Sequence, residues 1–408
     1  MFGFLDMKNK TSYIIDSIRT PIGRFGGSLS TIRTDDLAAI VIKGLINKSK
    51  IDSKKIDEVI LGCANQAGED NRNIARMALL LAGLPYTVPG ETVNRLCASG
   101  MSSVIHAHRA IQVGDGNIYL AGGVENMTRG PWVISKASSP FGKDVEMHDT
   151  SFGWRFINSK LNEKYGTESM GKTAENLVEK FGISRQDQDK YAFNSQMKAT
   201  NAQRNGRFDD EIISVKIPQR KADSIVFNHD EFIKSKTTVS DLSNLKSVFK
   251  TDGTVTAGNS SGLNDGAAIM LMASEKAISN EGFIPISRIV SSAVVGVEPR
   301  IMGIGPVEAS NKALKRAGLK ISDMDIIEIN EAFAAQSLAC IRQWGLDDDD
   351  PRINPNGGAI ALGHPLGMSG TRILQTASLE LKKQNKSLAL VTMCIGVGQG
   401  YAVIIEKS

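Results

Sequence analysis

A repeated pattern of helix and strand is the feature of this sequence that most constrains its fold. The helix and strand predicted between residues 43 and 62 recur between 312 and 330. A second unit, a loop followed by a helix and a strand that ends in glycines, occupies 94–123 and recurs over 354–400. Internal duplication predicts two similar α/β halves that pack together. Corresponding loops of the two halves would then meet near a pseudo-two-fold axis and could form a shared site.

Within the first half, short β-rich stretches alternate with amphipathic ones. Residues 13–19 predict a first strand, 35–46 a helix, and 56–62 a second, buried strand. A further helix is predicted over 73–82. Alternation of this kind is typical of a parallel sheet that is covered by helices on both faces.

The alternation stops between about 125 and 247 and resumes after residue 254. This stretch contains a predicted helical pair, over 173–181 and 184–205, among polar and loop-like segments. We interpret it as an insertion that lies over the sheet, of a size that carries function when it is ordered. A variable decoration without function is the alternative. Three domains are therefore predicted. The first core half comprises residues 1–124 and 248–279, the insertion comprises 125–247, and the second core half comprises 280–408.

Composition limits the classes of function. The chain has 408 residues, enough for several hydrophobic cores, and its formal net charge of +4 gives no argument for nucleic-acid binding. Its four cysteines lie far apart without CxxC spacing, so we expect neither a disulfide framework nor a metal site. The start of the sequence lacks the long apolar core of a signal peptide, and no apolar run reaches membrane-spanning length. We expect a cytoplasmic protein that is not bound to a membrane.

Cys97 is the first candidate catalytic residue. It lies in the stretch NRLCASG, where an extended pattern gives way to a helical one. A cysteine at a helix N-terminus is exposed to the partial positive charge of unpaired N–H groups, which favours the thiolate. The sequence therefore predicts an activated nucleophile. The alternative is a small, buried cysteine that packs strand against helix.

His364 lies in the corresponding loop of the second half, among glycines at 357, 358, 363 and 367. Such a loop builds no core, so the imidazole is expected to face a ligand and could take the proton of Cys97. A purely structural histidine is the alternative.

Two further residues could serve a later chemical step. Cys394 lies between an apolar strand and a glycine-rich turn, and a thiol near a histidine can transfer protons near neutral pH. The glycine turn could equally belong to a plain hairpin. Asn330 follows an apolar strand and precedes a helix, so it is either a helix N-cap or an amide that stabilises an oxyanion.

Five motifs together resemble those of the thiolases, in the same order and over essentially the whole chain: NRLCASG, GNSSGLNDGAA, NEAFAAQ, NPNGGAIALGHPLGMSGTR and CIGVGQG. The resemblance implies an α/β fold of αβαβα layers, with two duplicated core halves and a loop domain, assembled as a homodimer or homotetramer. It also implies ping-pong acyl transfer between coenzyme A (CoA) thioesters. Coenzyme A and acyl-CoA would be the partners and substrates, and no separate cofactor is expected.

The resemblance also assigns roles to individual residues. Cys97 corresponds to the acylated nucleophile, His364 to its base and Cys394 to the second acid or base. Asn330 corresponds to the residue that holds a water in an oxyanion hole shared with His364. The backbone N–H groups of Cys97 and Gly396 correspond to the other oxyanion hole, which acts on the acyl-enzyme.

Contacts with CoA follow from the same resemblance. Ser261 and Gly262 correspond to the turn that contacts pantetheine, and Ala332 with Phe333 to the wall of its tunnel. Arg220 is a candidate for the nucleotide end.

The insertion carries a finer resemblance. Residues 149–156 and 165–170 are similar to thiolases that act on 3-oxoadipyl-CoA in aromatic degradation, the beta-ketoadipate pathway, which makes Met170 a substrate-binding candidate. Many acetoacetyl-CoA thiolases have a histidine directly before this methionine, where this chain has Ser169. A substrate with a terminal carboxylate would want a cation, and Arg155 is a possible partner.

We therefore expect an acyltransferase that converts 3-oxoadipyl-CoA and CoA to succinyl-CoA and acetyl-CoA. An acetyl-CoA C-acetyltransferase or a broad 3-ketoacyl-CoA thiolase is the alternative enzyme. A catalytically silent CoA- or lipid-binding protein is the alternative outside the enzymes.

Overall fold

The computed structural model describes residues 11–408. Strands and helices are distributed throughout these residues, and most strands belong to one large sheet. The strands are β1 (Ser12–Arg19), β2 (Gly23–Arg24), β3 (Glu58–Gly62), β4 (Gly90–Val93), β5 (Ile118–Asn126), β6 (Trp132–Ile134), β7 (Met147–Asp149), β8 (Val215–Ile217), β9 (Ile225–Phe227), β10 (Asn264–Ser274), β11 (Ser287–Gly296), β12 (Ile326–Ile329), β13 (Leu388–Ile395) and β14 (Gln399–Lys407). The α-helices are α1 (Thr34–Ser49), α2 (Ile74–Leu81), α3 (Ser99–Val113), α4 (Ser159–Tyr165), α5 (Met170–Phe181), α6 (Arg185–Arg204), α7 (Val239–Ser243), α8 (Glu275–Glu281), α9 (Gly305–Ala317), α10 (Ala334–Gln343), α11 (Ala359–Leu362) and α12 (Leu366–Gln384).

The order of strands confirms the duplication. The sheet runs β12-β13-β14-β11-β1-β10-β5-β3-β4, and β2 pairs with β10. Strands β3, β5, β10 and β1 of the first half thus correspond to β12, β13, β14 and β11 of the second. In each half the first pair is parallel and the following pairs are antiparallel. The halves join where Tyr13 and Ile14 pair with Arg288 and Ser287.

The prediction of an all-parallel sheet is wrong, because the sheet is mixed. Parallel strands need a long crossover connection, whereas antiparallel neighbours can be joined by a tight turn. Strand β13 returns directly as β14 through the turn at 396–398, with Ile395 opposite Gln399. The glycines that suggested the end of a βα unit therefore form a hairpin.

Helices cover the sheet in layers. α3 and α12 pack against each other and against strands of both halves, through Met101, Ile105, Ile373 and Leu374. Helices α1 and α2 cover the outer face of the first half, and α9 and α10 that of the second. The result is the predicted αβαβα order. Among the helices of residues 11–408, none combines the length and hydrophobicity that a membrane span requires.

The N-termini of the two central helices meet at the end of β5. A Cβ atom added at Gly123 would lie 2.0 Å from the carbonyl oxygen of Gly367, and one added at Gly100 would lie 2.4 Å from the same oxygen. Only glycine permits this approach of backbones. The segments that precede α3 and α12 carry Cys97 and His364, so the close packing brings these two loops together.

The chain between β5 and β10 contains α4 to α7 and two small hairpins, β6–β7 and β8–β9. The helical pair predicted here is present as α5 and α6. Buried polar contacts tie the insertion to the core: Glu331 accepts hydrogen bonds from Ser195 (2.6 Å) and Tyr191 (3.3 Å) of α6, and Arg19 of β1 pairs with Glu211 and Asp230. The numerical limits given above for the domains stay a prediction.

Candidate active site

A cavity of about 590 Å³ lies beside the loop that contains Cys97. Leu96, Cys97, Gly396 and Val397 form part of its wall, and residues 150–155 and 167–170 of the insertion form another part. Its volume lies within the range of small-molecule sites. A larger groove of about 950 Å³, between α1, β1 and α12, contains none of the predicted site residues. The smaller cavity is therefore the candidate active site, because Cys97, Gly396 and Met170 lie in its wall. His364, Asn330 and Cys394 are buried and are not part of that wall.

Two residues of the cavity wall have backbone conformations that residues other than glycine rarely adopt. Leu96 has φ +48° and Val397 has φ +62°. The N–H of Leu96 donates to Asn94 Oδ1 at 2.9 Å, which holds this turn. Such conformations cost free energy and cluster at functional sites. Here they precede Cys97 and follow Gly396, and they place both residues at the cavity.

The position of Cys97 before a helix does not by itself leave its thiol ionised. Burial raises the pKa of this thiol to about 11, although the backbone N–H groups of Gly396 and of Cys97 itself act to lower it. Helix α3 begins at Ser99 with Ala98 as its N-cap, so Cys97 precedes the first turn. The cost of desolvating a thiolate outweighs the nearby dipoles. Deprotonation therefore needs a base.

His364 has a defined orientation. Its Nδ1 lies 2.6 Å from Ser369 Oγ, and that hydroxyl donates to the carbonyl oxygen of Pro365 at 2.8 Å. The hydroxyl has one proton, so Nδ1 must be the donor and Nε2 carries the lone pair. Gly363 (φ +108°) precedes the histidine, and Asn264 Oδ1 accepts the His364 N–H at 3.0 Å. The ring is held as one neutral tautomer.

Burial, and then the positive charge of Arg372, lower the pKa of His364 to about 3. The imidazole is therefore neutral at physiological pH. A neutral imidazole with a free Nε2 can accept a proton. His364 thus has the protonation state that a base for the Cys97 thiol requires.

Asn330 lies directly after β12, and its Nδ2 donates to His364 Nε2 at 3.4 Å. The helix that follows begins only at Ala334, so Asn330 is not its N-cap and that alternative is wrong. Among the described residues, no group hydrogen-bonds the buried Oδ1 of Asn330. The amide nitrogen of Asn330 thus contacts the unprotonated Nε2 of His364.

Cys394 lies on β13 and is buried beside Cys97. Burial, and then the neighbouring Cys97, raise the pKa of the Cys394 thiol well above its usual value. This thiol keeps its proton at neutral pH and is suited to act first as an acid. The glycine turn does form a hairpin, and Gly396 and Val397 of that turn line the cavity. The catalytic role of Cys394 stays a prediction.

The structure brings most of the predicted CoA contacts together. The N–H of Ser261 donates to the carbonyl oxygen of Ala332 at 3.0 Å, and Ala332 and Phe333 pack in one apolar cluster with Cys394 and Met170. Gly262 follows Ser261 and faces the ring of Phe232, which a Cβ atom would strike. Arg220 is different: it lies in the exposed turn between β8 and β9, away from the wall of the cavity.

The sequence interpretation did not single out Ser369, Asn264 or Glu125. The first two lie inside motifs that carry the family resemblance, and their signal was a polar residue within such a motif. Glu125 lies at the end of the apolar strand β5. Its signal was a carboxylate where a buried strand ends.

Glu125 ties two loops of the site together. Its carboxylate accepts the N–H groups of Ala64 (2.9 Å), Asn65 (3.0 Å) and Gly367 (2.8 Å), and burial raises its pKa to about 7. The side chains of Cys63 and Asp70 lie close enough to that of Glu125 for the three to hold a metal ion. Asp70, however, accepts hydrogen bonds from the backbone N–H groups of residues 66 and 68. We interpret this cluster as a hydrogen-bonded brace for the backbone.

Arg155 lies in the wall of the cavity. One of its terminal nitrogens donates to Asn65 Oδ1 at 3.0 Å. Among residues 11–408, no carboxylate forms an ion pair with this guanidinium. Within the described part of the chain, the hydrogen-bonded partner of this cation is thus a neutral amide.

Two family models match this chain. The model of the thiolase N-terminal domain matches residues 12–276, and that of the thiolase C-terminal domain matches 283–407. The chain belongs to the thiolase family. It is an acyltransferase enzyme.

Similar proteins extend the comparison. This thiolase is 54% identical over 399 residues to the 3-oxoadipyl-CoA/3-oxo-5,6-dehydrosuberyl-CoA thiolase of Escherichia coli (strain K12), covering 98% of this chain and 100% of the relative. It is 52% identical to a beta-ketoadipyl-CoA thiolase of Acinetobacter baylyi, with the same coverage. The crystal structure of human mitochondrial 3-ketoacyl-CoA thiolase in complex with CoA has a TM-score of 0.90 and 39% identity, covering 98% of both chains.

Proposed function

We propose that this thiolase converts 3-oxoadipyl-CoA and CoA to succinyl-CoA and acetyl-CoA through an acyl-enzyme on Cys97. The observation that carries the substrate is full-length identity of 52% and 54% to relatives that are named for it. The cavity beside Cys97 supports the same substrate, because it contains an unpaired cation for the terminal carboxylate.

In the first half-reaction, Cys97 gives its proton to His364 Nε2 and its sulfur attacks C3 of the substrate. The N–H groups of Cys97 and Gly396 stabilise the developing oxyanion, since both already act to lower the pKa of the Cys97 thiol. The bond between C2 and C3 then breaks. The leaving acetyl-CoA enolate, held near Asn330 and His364, receives a proton from Cys394.

In the second half-reaction, the Cys394 thiolate left by the first step takes the proton of incoming CoA. The CoA sulfur attacks the acyl carbon, and Cys97 leaves and recovers its proton from His364. Both thiols therefore end in their resting, protonated forms, as their raised pKa values require.

CoA serves as a substrate in this proposal, and no other cofactor takes part. Pantetheine would run past Ser261 and Gly262 toward the wall formed by Ala332 and Phe333. The neighbourhood of these residues and Cys394 supports this path. Arg220 would contact the nucleotide end only if the β8–β9 turn approaches the bound molecule.

We also propose a cytoplasmic homodimer or homotetramer. Hairpin β6–β7 exposes the apolar side chains of Trp132, Ile134 and Met147. Exposed apolar patches often mark interaction surfaces, and most oligomers are symmetric assemblies of one chain. This hairpin supports self-association.

A substrate panel tests the proposed reaction. The purified protein should cleave 3-oxoadipyl-CoA with a kcat/KM at least about tenfold above that for acetoacetyl-CoA, because only the former offers a charge to the cavity. Products are resolved by chromatography to identify succinyl-CoA and acetyl-CoA. The opposite ranking would assign the protein to the acetoacetyl-CoA thiolases, and absence of cleavage with every substrate would favour a silent CoA-binding protein.

A further inference from the structure

Within residues 11–408, Arg155 is the only lysine or arginine in the wall of the cavity that Cys97 lines. Arg155 comes from the insertion and lines the same cavity as Cys97. We propose that its guanidinium binds the terminal carboxylate of dicarboxylic 3-oxoacyl-CoA substrates and thereby selects them over neutral chains of equal length. This inference rests on the proposed function and names the residue that sets its specificity.

Hydrogen bonds to neighbouring residues of the cavity wall hold the guanidinium in place. Arg155 donates to Asn65 Oδ1 at 3.0 Å, and Asn65 Nδ2 donates to Thr150 Oγ1 at 3.2 Å. The Thr150 hydroxyl in turn donates to the carbonyl oxygen of Pro131 at 2.7 Å. This chain of hydrogen bonds fixes which way the Asn65 amide faces. Its oxygen must point to Arg155.

The backbone of Asn65 is fixed as well. Its N–H donates to Glu125 Oε1 at 3.0 Å, and Glu125 also binds the N–H of Gly367 at the start of α12. The residue that orients Arg155 is therefore connected to the helix that follows His364. A fixed orienting partner reduces the entropy that the long arginine side chain loses when a ligand binds.

The hydrogen bond to Asn65 leaves most of the guanidinium available. Arginine carries five N–H donors in a planar fork, and the described contacts of Arg155 use one of them. A carboxylate can accept two parallel hydrogen bonds from such a fork. Glu125, the acid of the cavity wall, has both oxygens bound to backbone N–H groups and does not pair with Arg155.

The same arrangement works against neutral substrates. An apolar chain that fills the cavity would remove water from the guanidinium and return no hydrogen bond to it. Burying a charged group without a partner is costly. Specificity would therefore come both from attraction of the carboxylate and from this penalty on neutral chains.

A cycle of two enzymes and two substrates tests the inference. Wild type and Arg155→Met are assayed with 3-oxoadipyl-CoA and with 3-oxohexanoyl-CoA, which has the same chain length without the carboxylate. We expect Arg155→Met to lower kcat/KM for 3-oxoadipyl-CoA by about 30-fold or more and to raise kcat/KM for the neutral substrate by about threefold or more, because the penalty of burying an unpaired charge is removed. Arg155→Lys should recover only part of the loss, because it keeps the charge without the fork.

Lys160→Met is the matched control, since Lys160 is an exposed cation of the same insertion and lies outside the cavity wall. It should leave both substrates unchanged. An equal loss for both substrates in Arg155→Met would show a structural role and overturn the inference while the proposed function stands. A wild type that prefers 3-oxohexanoyl-CoA would overturn the proposed substrate itself.

Discussion

Replacing Cys97 with alanine is expected to lower kcat by at least about 10⁴-fold, because every step of the proposed reaction passes through its sulfur. The substitution removes one atom from a half-buried position and creates no clash. Steady-state thiolysis of 3-oxoadipyl-CoA, followed at the absorbance of the thioester enolate, measures the loss.

Cys340→Ala is the control for this substitution. Cys340 is a buried cysteine of α10 whose sulfur contacts the carbonyl oxygen of Gly303 at 3.3 Å, and it has no place in the proposed reaction. We expect it to keep near-normal kcat with at most a small drop in Tm. Comparable activity of Cys97→Ala and wild type would remove Cys97 from the mechanism.

Replacing His364 with alanine is expected to lower kcat by about 10³-fold to 10⁴-fold. Loss of a general base typically lowers the rate by about 10²-fold to 10⁴-fold. His364 also contacts the amide of Asn330, with which it would stabilise an oxyanion. The variant should regain rate as pH rises, since more of the Cys97 thiol then ionises without help. In wild type the same residue should give no acid limb near pH 6, because the pKa of His364 is lowered to about 3. A pH profile of kcat/KM for both proteins measures the difference.

His229→Ala provides the comparison, because His229 is exposed, hydrogen-bonds with Asn228 and packs beside the ring of Phe227. It should retain wild-type activity. If wild type instead loses activity with a pKa near 6 that disappears in His364→Ala, the resting imidazole is not the buried neutral base described here.

Much of the fold could be predicted because the local hydrophobic periodicity of its strands and helices repeats along the chain. The strand and helix patterns of 43–62 and 312–330 predicted two halves, and the equivalence of the loops predicted that Cys97 and His364 would approach each other. The mixed character of the sheet could not be predicted, since periodicity does not distinguish a crossover from the return of β13 as β14.

The sequence could indicate candidate site residues but not their electrostatics. Helix position suggested a thiolate at Cys97, yet the pKa of a thiol depends on burial, which is set by packing among distant segments. The sequence pattern also allowed Asn330 to be a helix N-cap. It could not show that the helix begins four positions further on, at Ala334. The contact of Arg155 with Asn65 joins residues 90 positions apart, so no local pattern could reveal it.

The most direct test of the central claim is to locate the acyl group on the enzyme. The protein is mixed with 3-oxoadipyl-CoA without free CoA, quenched in acid, digested and examined by mass spectrometry. We expect one succinyl group, on the peptide that contains Cys97, and its removal when CoA is added before the quench. A succinyl group on Cys394 instead, or turnover with no covalent adduct on Cys97, would contradict it.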